Sequence, residues 1–88
     1  MLSYEDCLAL VDLTEDEIEA IAAHEHIPQI VAVELASYLL HEPDGTVRIR
    51  KIILDDIAEA EAANDAERVL TLKATLKHFV ETHPDHKN

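Results

Sequence analysis

Residues 28–41 read Pro28-Gln29-Ile30-Val31-Ala32-Val33-Glu34-Leu35-Ala36-Ser37-Tyr38-Leu39-Leu40-His41. Apolar side chains cover most of a helical circumference in this stretch, and a helix of that kind is ordinarily the buried centre of its domain. Pro28 suits a first helical position, where its missing N–H costs nothing, and the helix is expected to reach about His41. Ile27 precedes that proline and is pushed out of helical geometry, so an earlier helix must stop there. Glu42-Pro43-Asp44-Gly45 is a turn by composition.

Outward from this centre the start and stop signals predict four more helices. Ser3 and Asp6 fit a capping pattern ahead of the stripe Tyr4, Cys7, Leu8 and Val11. Thr14 and Glu17 make a stronger capping box, flanked by Leu13 and Ile18 in staple positions, for a helix that runs to about Glu25. Asp44 or Thr46 is expected to cap a helix from Val47 to about Ala63 with the stripe Ile49, Ile52, Ile53, Ile57 and Ala60. Asn64 can take a left-handed conformation and Asp65 can cap the last helix, which buries Val69, Leu72, Leu76, Phe79 and Val80 and ends before Pro84. The fold class is therefore all-α: a compact bundle of about five short helices with a C-terminal antiparallel helical hairpin. Residues 1–83 are expected to form one helical domain and 84–88 a frayed tail.

Length and composition agree with this reading. The chain has 88 residues, 48% hydrophobic and 30% charged, with one Gly, which suits a helical domain and not a turn-rich sandwich or barrel. Cys7 is the single cysteine, so an intrachain disulfide and a cysteine-based zinc site are both excluded. No signal peptide or membrane-length apolar run is read, which points to a cytoplasmic protein without a membrane partner. Domains this small often need a metal or a partner subunit in place of a disulfide.

Charge is divided unevenly. Of the 19 acidic residues, 11 precede Arg48, with no Lys or Arg among them; the remaining 8 face all 7 basic residues. The net charge of -12 argues against nucleic acid, whose phosphates demand a basic footprint. It suits instead a negative face for a basic protein. The basic run Arg48, Arg50 and Lys51 could engage that face within the chain or from a second copy.

Four polar residues fall where apolar ones are expected. Glu25 shares a side with Ile18, Ile21 and Ala22; Glu34 lies within the apolar stretch; Asp56 sits amid Ile49, Ile52, Ile53 and Ala60; and His83 continues the line Leu72, Leu76, Phe79. An unpaired buried carboxylate costs several kcal/mol, so each group must be partnered, protonated or away from the core. Hydrogen bonding at the core edge is one account. Another gathers Glu25, Glu34 and Asp56 with His24, His41 or His83 around iron, manganese or zinc, although the Glu-x-x-His pairing of carboxylate di-iron bundles is missing. Catalysis by a carboxyl of raised pKa would need a substrate pocket, and no nucleophile stands beside a base at a recognisable spacing. His78 falls with Thr71, Thr75 and Thr82 on what reads as the polar side of the last helix.

Known small helical families do not fit. Acyl carrier proteins need an Asp-Ser-Leu, and Ser3 and Ser37 follow Leu2 and Ala36; the segment after Asp44 turns apolar too soon for an EF-hand. The resulting expectation is a non-enzymatic interaction or assembly module that forms a homodimer or larger homo-oligomer, without a cofactor. A metal-binding helical protein is the alternative.

Overall fold

A computed structural model describes residues 11–84. Of these, 78% are helical and none forms a strand. The helices are α1 (Glu15–Glu25), α2 (Gln29–Leu40), α3 (Gly45–Ala62) and α4 (Ala66–Thr82). The helix expected from Ser3 and the tail from Asp85 lie outside the described residues.

Local chemistry sets the helix ends. The Thr14 hydroxyl accepts the Glu17 N–H at 3.2 Å, while the Glu17 carboxylate accepts the Thr14 N–H at 2.8 Å, which completes the capping box. Replacing Thr14 by alanine leaves the Glu17 N–H without its side-chain partner and is expected to lower stability by about 1 kcal/mol, as measured by urea denaturation. α1 stops at His26, which adopts a left-handed φ of 58°. Pro28 is the N-cap of α2 and not its first residue; its carbonyl accepts the Val31 and Ala32 N–H groups. α3 begins at Gly45, two residues earlier than expected, and its N-cap residue Asp44 makes no side-chain capping bond. Asn64 is left-handed at φ 58°, and Asp65 accepts the Arg68 N–H at 3.1 Å, so both roles read from the sequence are present.

The order of layers differs from the expectation. α1 and α3 pack against each other and against both remaining helices, so they form the middle of the domain, with α2 and α4 flanking them. Fully enclosed Ile18, Ile21, Ile49, Ile53, Leu72 and Phe79 make the core. Ala20, Ala32 and Ala36 show no exposed surface, and their small side chains let the helix backbones approach closely. α2, expected at the centre, buries only Ala32, Val33, Ala36 and Leu39. On α4, Val80 is exposed, whereas Thr75 is buried and donates to the Thr71 carbonyl at 2.8 Å, the reverse of the polar side assigned to it. His83 lies just beyond α4, as its C-cap.

Candidate functional site

The six candidate residues are dispersed over all four helices and their ends. Glu34 is exposed on the outer side of α2, and Glu25, the last residue of α1, is exposed as well, which corrects the expectation that both sit on buried faces. His41 caps α2 and donates from Nδ1 to the Ser37 carbonyl at 2.7 Å. His83 is nearly buried, stacks on Phe79 with ring centroids 4.6 Å apart, and holds Nε2 3.5 Å from the Asp12 carboxylate without hydrogen-bond geometry. Among the described residues no three His, Cys, Asp or Glu side chains are grouped as a metal ion would need.

Asp56 fulfils the sequence reading: it is 5% exposed, and its Oδ2 has no hydrogen-bond partner. Burial pushes its carboxyl up to about 6, against the opposing influence of His24 and Arg68 and with help from Glu59 and Glu19. Around it two polar links tie the helices together. His24 on α1 meets the Glu25 carboxylate through Nδ1 at 2.7 Å and Asp55 on α3 through Nε2 at 3.2 Å. Burial acts against the charge on that ring, but the bonds to Glu25 and Asp55 outweigh it and raise the pKa, since only the imidazolium donates from both nitrogens. Arg68 on α4 donates to Glu19 on α1 at 2.6 Å.

Sequence reasoning missed Asp55, Glu19 and Arg68, whose roles come from pairing across 31 and 49 residues. It also missed the burial of Glu17, which has no exposed surface and one carboxylate oxygen without a partner. A helical wheel carries that signal, because Glu17 stands one turn before Ile21.

Two surface features remain. On α2, Ile30, Val31 and Tyr38 are 39%, 41% and 58% exposed; with Glu34 they fall within an arc of about 100° at helical spacing. Between α1, α2 and α3 a cleft of about 240 Å³ is lined by His24, Glu25, Leu35, Leu39, Arg48, Lys51, Ile52 and Asp55. No helix among the described residues is long and apolar enough to cross a membrane. No protein-family model matches the chain, and neither a curated protein nor a solved structure is significantly similar to it.

Proposed function

We propose that the chain is a non-enzymatic interaction module that pairs with a second copy of itself through the outer face of α2. The observation that carries this reading is the exposure of Ile30, Val31 and Tyr38 on one arc of a helix whose other face is core. An aliphatic pair and a tyrosine suit an interface centre, where large side chains with few rotamers bury area at low entropic cost. A second copy fits for two reasons. The domain is small and its single cysteine rules out an internal disulfide, so burial against a partner would add to the modest stability that a core of this size supplies. A twofold axis also matches the arc with an identical one, which is the commonest closed solution for soluble proteins. Within each copy, α3 and α4 are read as an antiparallel hairpin, since residues 63–65 alone connect them and they pack together.

Sedimentation equilibrium across a concentration series tests the proposal. Each copy carries -12, so like-charge repulsion opposes pairing, and the dimer is expected to tighten as salt is raised. The double variant V31E/Y38E alters two exposed positions and is expected to be monomeric with unchanged helicity. A wild-type chain that stays monomeric at every concentration and salt level refutes self-association; a dimer that survives V31E/Y38E moves the interface off α2.

A further inference from the structure

We infer that the cleft between α1, α2 and α3 is a binding site for a small aliphatic monocarboxylate, held by Arg48 and Lys51 over an apolar floor. The floor is Leu39, which is 2% exposed, with the half-buried Leu35 and Ile52 beside it. Arg48 and Lys51 stand one turn apart on α3, at the rim. The two acidic residues of the lining are already engaged: His24 binds both Glu25 and Asp55, and Lys51 approaches Asp55 at 3.9 Å. Arg48 makes no hydrogen bond or ion pair among the described residues. In a chain of net charge -12 this places an uncommitted guanidinium beside the partly exposed side chains of Leu35 and Ile52. A guanidinium fork matches the two oxygens of a carboxylate in a bidentate pair, and a short alkyl chain would cover the leucine and isoleucine surface.

The size and the lining select the ligand class. At roughly 30 Å³ per heavy atom, the volume a water molecule takes in the liquid, the 240 Å³ cleft holds about eight heavy atoms. Six carbons and two oxygens meet that number, as in hexanoate. A peptide fits poorly. Leu35, Leu39, Arg48, Lys51, Ile52 and Asp55 all lie within α2 or α3, where backbone N–H and C=O groups are consumed by the helices. The amides of a peptide would therefore enter without main-chain partners, a cost that an alkyl carboxylate avoids.

The test is an NMR titration of the full chain with sodium butanoate, hexanoate and octanoate at constant ionic strength, with hexan-1-ol as the uncharged comparison. Saturable shifts are expected at the Leu35, Leu39 and Ile52 methyl groups. Each methylene added between butanoate and hexanoate should tighten binding about fourfold, and octanoate should gain little more because the cleft is full. Arg48→Gln is expected to weaken hexanoate about tenfold and leave hexan-1-ol unchanged; Lys51→Gln should do the same to a smaller degree, and both positions are exposed. Equal binding of hexanoate and hexan-1-ol, shifts that never saturate, or an Arg48→Gln variant with wild-type affinity each overturn the inference. None of these outcomes depends on the oligomeric state, so the site and the proposed dimer fail or survive separately.

Discussion

Replacing Gly45 by alanine is expected to lower stability by about 4 kcal/mol or more, a loss close to the whole stability of a domain this size. A β-carbon at Gly45 would stand 1.5 Å from the Leu39 carbonyl oxygen and 2.5 Å from its carbon. These are covalent distances, and the atoms they meet are backbone. No rotamer change relieves the clash. The Leu39 carbonyl is also held in place, because it accepts the Glu42 N–H at 3.0 Å, and the Gly45 N–H in turn donates to the Glu42 carbonyl at 3.1 Å. The close approach of α3 to the last turn of α2 is thus what requires glycine here, and no glycine in the described chain has a positive φ. Accommodating a methyl group would force the two helices apart and open the core around Leu39 and Ile49. Urea denaturation followed by circular dichroism measures the loss. Asp44→Ala is the control: Asp44 is exposed and makes no side-chain capping bond, so a change below about 0.5 kcal/mol is expected there. A Gly45→Ala variant within about 1 kcal/mol of wild type would show that the junction is not the tight contact described.

What the sequence reveals is chemistry that acts within one turn. Thr14 with Glu17, Asn64 in its left-handed position, and Asp65 below the Arg68 N–H all depend on neighbours three residues away or fewer, and each is found as read. Asp56 was legible too, since the isoleucines at 49, 53 and 57 fix the direction of the core face and Asp56 lies within it. The order of layers was not. Residues 28–41 are the most apolar segment, yet α2 lies at the flank, because centrality follows from how many neighbours a helix meets and not from how greasy it is. α1 takes the middle with Ile18, Ile21 and the small buried Ala20 and Ala22, a set that hydropathy alone scores modestly. Glu25 and Glu34 misled for related reasons: one is the final residue of its helix, where the wheel no longer describes packing, and the other lies on the arc that α2 turns away from the core.

The other large effect is a gain. Asp56→Asn is expected to stabilise the protein at pH 7.5 by about 1–2 kcal/mol. The shift from 3.8 to about 6, with the influence of His24 and Arg68 included, corresponds to about 3 kcal/mol; the gain on substitution is smaller because the asparagine amide would itself be a buried polar group with a hydrogen-bonding atom left unpaired. The sign follows from which form the fold prefers. Because the folded pKa is raised, the neutral carboxyl is favoured; the stability this group contributes is complete below pH 3.8 and is lost as pH rises through about 6. His24 acts in the same direction. Burial opposes its charge, but the bonds to Glu25 and Asp55 prevail and its pKa is raised, so its contribution is present below 6.5 and disappears as pH rises through the folded value. Wild-type stability should therefore increase as pH is lowered from 7.5 to 5, which contrasts with the acid lability of proteins whose carboxylates are paired. The Asp56→Asn substitution would remove the Asp56 share of that slope and leave that of His24. The advantage of the variant over wild type should have mostly gone by pH 4, where Asp56 is protonated in the folded state, and should vanish below pH 3.8, where the unfolded chain is protonated as well. Thermal melts of both chains at pH 7.5, 6, 5 and 4 measure the difference. If Asp56→Asn destabilises the protein at pH 7.5, the ionised carboxylate is a net partner of Arg68 and His24, and the buried, unpaired charge described for α3 is wrong.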